Sequence, residues 1–323
     1  MTKKHGVNLE TYRKADRHLS KDLLNQLQGT GMLHPILEAV SGDDALRFDI
    51  RERRFNVYYQ GGSLLMVDGR KSPVALHFDP KYFKGNATTA PELPASLSSR
   101  ADAEAWVSAF GGLKRGMDEW WKTHKKGERA HCQAMAAANS GARGNPVGDF
   151  LILDMEYQWA QRRLDLIAAQ RSPSASDPDG WREPRLVFIE VKSEYSACTG
   201  ASGLHDHARD FRDIIGARGG QAVEAIKLEY QRIWEQKSDL DLLDSSVPFE
   251  RFSTETPALL LVFVDLDVRH RSLGVPLRQV AETAAETPGV EIRLLKLNSP
   301  DYVMRDTNCV DARVYAGTAS QRP

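Results

Sequence analysis

Asp165, Glu190 and Lys192 are the residues whose types and spacing could do chemistry. They stand in two short apolar runs, RRLDLIA and RLVFIEVK, where a buried strand ordinarily carries no charge. Side chains alternate across a strand, so Val187, Ile189 and Val191 share one face while Phe188, Glu190 and Lys192 share the other. At roughly 3.3 Å per residue, Glu190 and Lys192 project about 6.6 Å apart along the strand. The same parity puts Asp165 with Arg163 and Ile167, opposite Leu164 and Leu166. If the two strands are neighbours, Asp165 and Glu190 converge. Two converging carboxylates repel and shift toward protonation unless a cation lies between them. Mg²⁺ or Mn²⁺, which take oxygen ligands, would resolve that conflict. Such an ion polarises a phosphoryl oxygen and acidifies a bound water, and a lysine beside it stabilises charge on a phosphorane-like transition state. The chemistry expected of this trio is phosphodiester hydrolysis.

Asp165, a gap, then Glu190-Val191-Lys192 resembles the PD-(D/E)xK nuclease superfamily, whose fold is restriction-endonuclease-like. Leu164 stands where the name of the superfamily has proline. The phrases DMEYQW, RRLDLIA and LVFIEVK are similar to bacterial members in which a helix with an early glutamate precedes three strands; the resemblance covers about residues 128 to 235. It implies Asp165 and Glu190 as metal ligands, Lys192 as the catalytic lysine and the carbonyl of Val191 as a further ligand. Glu156 or Glu128 would supply the extra acidic residue. Gln221 followed by Tyr230 looks similar to a helix of recombination-type exonuclease domains. The implied function is a Mg²⁺- or Mn²⁺-dependent deoxyribonuclease, with RNA left open as a substrate, in restriction, defence against foreign DNA, or repair. The alternative is a non-cleaving module on the same fold that holds nucleic acid or a partner protein.

Other residues compete for attention. His205-Asp206-His207 reads either as a metal cluster or as a phosphate- or water-positioning group, and adjacent loop residues rarely converge on one ion. Cys198 near His205 could be a thiol nucleophile, though nothing marks it as activated. Asp265-Leu266-Asp267 closes an apolar run, where an acidic pair can hold Mg²⁺ or simply face solvent. Arg51, Arg53 and Arg54 beside Tyr58 and Tyr59 could contact nucleic acid; with Asp49 and Glu52 interleaved, a solvated strand face is the leading reading. No glycine-rich phosphate loop is present, which argues against an ATPase or dehydrogenase.

The elements that must position these residues follow from periodicity. Helices are expected over about 7–28, from Ser98 or Ser99 to the lysines at 122–126, over 128–139, 221–236 and 277–286. In the second of these, Trp106, Phe110, Leu113, Met117 and Trp120 form a stripe read as core. Residues 46–68 alternate with Gly61-Gly62 between two β-rich runs, a hairpin, followed by a strand at 74–78. Residues 84–99 have linker composition, and 198–220 are glycine-rich and partly loop. Further strands are expected in 151–192, at 258–268, a continuous apolar run suited to a doubly covered position, and at 290–297. The expected class is α/β: a restriction-endonuclease-like mixed sheet flanked by helices over 96–305, preceded by a small α+β unit at 1–95 of open role and followed by a tail at 306–323.

Composition sets outer bounds. The 323 residues carry 43 Lys and Arg against 44 Asp and Glu, a formal charge of -1, so any phosphate-binding surface is a local patch. The first residues lack the apolar core of a signal peptide, and no apolar run approaches the roughly 20 residues of a membrane span. Three scattered cysteines suit a reducing cytoplasm. A homodimer, or a partner protein bound through the N-terminal unit, is compatible with one metal site per chain.

Overall fold

The computed structural model describes residues 17–85, 89–124, 127–141, 148–159, 162–200, 202–243 and 247–316. It is a mixed α/β structure with two sheets flanked by helices. Short helices α1 (Lys21–Leu27) and α2 (His34–Ser41) lead into β1 (Leu46–Arg51), β2 (Arg54–Tyr59), β3 (Gly62–Asp68) and β4 (Ala75–His77), an antiparallel meander. Most of the first expected helix, 7–28, lies outside the described residues; α1 is its last part. The run before Gly61-Gly62 is two strands, not one. The chain reverses at Glu52-Arg53, where Arg53 takes a left-handed φ of 51° without the help of glycine.

Helix α3 (Arg100–Thr123) starts where the Asp102 carboxylate accepts the amides of Ser98 and Ser99, both at 2.7 Å. This satisfies donors that a helix start leaves open and places negative charge at the positive end of the dipole. Helix α4 (Glu128–Ala138) follows. Strands β5 (Phe150–Trp159), β6 (Arg162–Gln170) and β7 (Arg185–Lys192) then form an antiparallel set. Helices α5 (Leu204–Gly216) and α6 (Gln221–Asp239) cross over to β8 (Ala258–Val264), which runs parallel to β7. Helix α7 (Gly274–Glu286) crosses to parallel β9 (Glu291–Leu297), and β10 (Val310–Asp311) pairs antiparallel at the edge. The order is β10-β9-β8-β7-β6-β5.

All residues of β8 are buried, as its unbroken apolar sequence requires of a strand covered on both faces. Phe188, Leu259 and Leu261 face α5 and α6 through Phe211, Ile214 and Ile226. Val187, Ile189, Val191, Leu260 and Val262 pack with Cys132, Met135 and Ala136 of α4. The first of these clusters continues into Ile50, Val57 and Leu65, so the two sheets share a hydrophobic core.

The segment at 198–220 is partly loop, as expected, at 199–200 and 202–203, and most of the rest is helix α5. Leu204, His207, Ala208, Phe211 and Ile214 are its buried residues, at helical spacing.

Between the sheets lies a buried charge network. Asp154 of β5 is held by Arg17, by Arg51 of β1 at 2.5 Å and by the Tyr230 hydroxyl at 2.9 Å. Asp49 of β1 accepts from Lys237 of α6 at 2.7 Å and from Arg47 at 3.1 Å, and Lys237 also donates to the Leu153 carbonyl at 2.6 Å. Burial pulls the Lys237 ammonium down to about 8, against the opposing pull of Asp49. Arg51 is therefore spent inside the protein and does not present a nucleic-acid contact. Among the described residues, no helix is long and apolar enough to cross a membrane.

Candidate active site

The β6/β7 ladder ends at Leu166 opposite Ile189. One further step in that register sets Asp165 opposite Glu190. There the strands part, and the Asp165 carboxylate accepts the Val191 amide at 2.9 Å where a backbone carbonyl would otherwise serve. The β5/β6 register, Tyr157 opposite Leu164 and Met155 opposite Leu166, places Glu156 across from Asp165 on the other side.

Glu190 and Lys192 are both buried, at 3% and 4% exposure. Lys192 Nζ donates to Glu190 Oε1 at 2.7 Å, and His207 Nε2, from α5, lies 2.8 Å from the same oxygen. His207 Nε2 also lies 2.9 Å from the Ser202 carbonyl. Both cationic groups thus crowd one oxygen of Glu190. The other, Oε2, is fully buried and has no hydrogen-bond partner among the described residues. A buried carboxylate oxygen without a partner costs free energy that a bound cation or water would recover.

Glu128, first residue of α4, completes the cluster. It accepts the Ser193 amide just past β7 and feels Lys192, Glu190 and His207, while its Oε1 is buried and unpartnered. Burial raises its carboxyl above the usual range, and Glu190 adds to the rise. Burial, then repulsion from Glu190, pushes Asp165 up to about 7. Burial alone would lower Lys192 and His207, but Glu190 outweighs it and both are raised. The cluster therefore holds more carboxylate than its own cations neutralise comfortably.

Its oxygen donors suit a hard divalent ion. Among the described residues no three His, Cys, Asp or Glu side chains form a ready-made cage. Mg²⁺ does not require one, since it keeps several waters and binds through one or two carboxylates. Asp165 and Glu190 are the carboxylates that could supply these, Glu190 through its unpartnered Oε2.

The remaining candidates are placed elsewhere. Glu156 adopts a left-handed φ of 61° and is ion-paired with Arg129 at 2.8 Å, on the far side of Asp165 from Glu190. Gln221 is exposed at the start of α6, and Tyr230 binds Asp154 in the charge network. Cys198 and His205 line a separate small cavity of about 250 Å³, and burial pushes the Cys198 thiol up to about 11, the opposite of an activated nucleophile. Asp265 is occupied by the Ser299 amide at 2.8 Å and hydroxyl at 2.6 Å, and Asp267 by the Arg269 amide at 3.0 Å. His207 is the residue that sequence reasoning left among a loop triplet. Its signal was the helical spacing of Leu204, His207, Ala208 and Phe211, which turns it inward while His205 lies elsewhere.

No protein-family model, no curated protein and no solved structure matches this chain.

Proposed function

We propose that the chain is a Mg²⁺- or Mn²⁺-dependent nuclease with a restriction-endonuclease-like core, hydrolysing phosphodiester bonds, with DNA the expected substrate. One observation carries the reading: Asp165, Glu190 and Lys192 come together from adjacent strands, with Glu190 Oε1 bound by Lys192 and its Oε2 unpartnered. The antiparallel β5-β6-β7 set followed by parallel β8 is compatible with that fold, and a reducing cytoplasm suits three free cysteines.

Asp165 and Glu190 would hold the ion, with the Val191 carbonyl and Glu128 as further candidate donors. When bound, the ion polarises a phosphoryl oxygen and acidifies the attacking water. Asp165 must be deprotonated to take part, which its value of about 7 permits near neutrality. Lys192, fixed by Glu190, keeps its positive charge in a buried setting and would stabilise charge developing at phosphorus. His207 holds the shared Glu190 oxygen from the helix side, so that the carboxylate turns its other oxygen to the site.

The test is incubation of the purified protein with plasmid, linear duplex, single-stranded DNA and RNA in Mg²⁺, Mn²⁺ or EDTA. Metal-dependent cleavage that is lost in Glu190→Gln supports the assignment. Unchanged cleavage by that variant refutes it, and metal-independent binding without cleavage of any substrate favours the non-cleaving module. Loss only on changing Asp265 and Asp267 would move the chemistry to the end of β8.

A further inference from the structure

Away from the carboxylate cluster, the face of α3 opposite its core stripe borders an open cavity of about 1,000 Å³ that Phe83, Lys84 and Pro91 also line. Its volume sits at the upper end of ligand pockets, about 300–1,000 Å³. Phe83, Lys84, Arg115, Trp120, Lys122 and His124 line it. The stripe expected to be wholly core therefore divides: Trp106, Phe110, Leu113 and Met117 are buried, while Trp120 is half-buried and reaches the cavity.

The lining has two chemistries side by side. The His124 imidazole stacks on the Trp120 indole, centroids 3.4 Å apart and planes within 7°, which extends a flat aromatic surface to an exposed residue. Phe83 adds a third ring, seated on α3 where Gly116 has no Cβ; a Cβ there would come within 2.4 Å of the ring. Beside them, Lys84 and Arg115 are exposed and have no ion-pair partner among the described residues. Lys122 is paired to Glu119, the only acidic group among the described residues of the lining. Unpaired cations next to stacked rings suit a polyanion that carries its own flat rings.

The position fits as well. Lys84 lies one turn beyond Lys81, and Lys81 is close enough to Arg129 to feel its charge. Arg129 pairs with Glu156, across from Asp165. Lys81 is itself paired with Asp79, so these two cations are neutralised, and they connect the cavity side of the molecule to β5, the neighbour of the strand that carries Asp165.

We propose that this cavity binds unpaired nucleotides of a nucleic-acid strand, stacking bases on the Phe83 and Trp120–His124 rings and setting phosphates against Lys84, Arg115 and Lys122. The choice of nucleic acid over an acidic peptide, which would meet the same cations, rests on the nuclease reading and on the stacked rings. The expected substrate therefore contains a single-stranded segment.

The test is fluorescence anisotropy with a labelled oligothymidine of about 20 nucleotides, in EDTA so that nothing is cut. Lys84→Gln with Arg115→Gln should weaken binding at least about tenfold and lower the dependence of log affinity on log salt by about 1.4, at about 0.7 per cation for single strands. Both residues are exposed, so the melting temperature should not change. His124→Ala, which removes the outer ring alone, should weaken binding severalfold with no change in salt slope. Wild-type affinity in the double variant, no binding by the wild-type protein, or displacement of the oligonucleotide by polyglutamate at equal charge would each overturn the proposal. Loss of binding in the double variant together with failure of every metal to support cleavage would leave the cavity standing and refute the nuclease. Cleavage untouched by the double variant would do the reverse.

Discussion

Replacing Asp165 by asparagine gives a prediction whose sign changes with pH. Without metal, the folded protein raises the Asp165 carboxyl from 3.8 to about 7, through burial and then Glu190. Between those values the folded state holds a proton that the unfolded state has released, so stability falls as pH rises through the window. The penalty is absent below about pH 3.8 and complete above about 7; at 1.36 kcal/mol per pH unit it approaches about 4 kcal/mol. Asparagine escapes it. Its amide oxygen still accepts the Val191 amide, but its new NH₂ group must find a partner or cost about 1–2 kcal/mol. Near pH 8 in EDTA, Asp165→Asn should therefore be more stable than the wild type by about 2–3 kcal/mol, and near pH 4 equal or less stable. Urea titrations at both pH values measure this, and subtracting one protein from the other removes the titrations they share. With Mg²⁺ or Mn²⁺ at about 100 times its dissociation constant, the wild type should gain about 2.7 kcal/mol and the variant little, which closes the gap. A stability difference that does not vary with pH would refute the electrostatic argument. A variant that gains as much from metal as the wild type would remove Asp165 from the ligand set.

Other perturbations read separate parts of the molecule. Lys192→Ala should reduce cleavage by at least about two orders of magnitude, some 3 kcal/mol at 1.36 per tenfold, while oligonucleotide binding in EDTA persists; a loss below tenfold would remove the lysine from the chemistry. Asp154→Ala should destabilise the fold by about 3–5 kcal/mol in chemical denaturation, because it strands Arg17 and Arg51 without their shared carboxylate; an effect under about 1 kcal/mol would show that the network is not structural. Arg70→Ala should cost about 1 kcal/mol near neutral pH, allowing for the solvent around Arg70, since hydrogen bonds from Arg70 hold Asp68 down at about 2. That contribution is present above pH 3.8 and is lost as pH falls through about 2, so wild type and variant should converge in acid.

Much of the sheet could be read from local pattern. The alternation in RLVFIEVK and the unbroken apolar run at 258–264 identify a half-polar strand and a doubly covered one, and both are present. Pairing could not be read in the same way. The register that sets Asp165 opposite Glu190 spans a loop of more than a dozen residues and is decided by packing on both faces. The β1/β2 reversal lacked a turn residue, since Arg53 takes its left-handed conformation in tertiary context. Helix α5 was obscured by the glycines around it, and with it went the inward position of His207. Arg51 looked like a surface cation because nothing local to it reveals Asp154, which lies 103 residues away.

The acidic residues of the central strands are sorted by what surrounds them. Asp154, Glu156 and Asp165 all interrupt apolar β-structure. Asp154 is covered by two arginines and a tyrosine hydroxyl, so its charge is spent on joining the two sheets. Glu156 is half-exposed and has Arg129. Among the described residues Asp165 has the Val191 amide as its hydrogen-bond partner, while the charge that acts on it most strongly is another carboxylate whose cations crowd the oxygen they already hold. The protein supplies cations generously within the same β-sheet, yet among the described residues none is paired with Asp165. A purely structural polar face would gain from an arginine here, as Asp154 does. On the proposed reading, a divalent ion would take the place that an arginine takes beside Asp154, since among the described residues Asp165 is held by a backbone amide and feels Lys192 only as a cation already bound to Glu190.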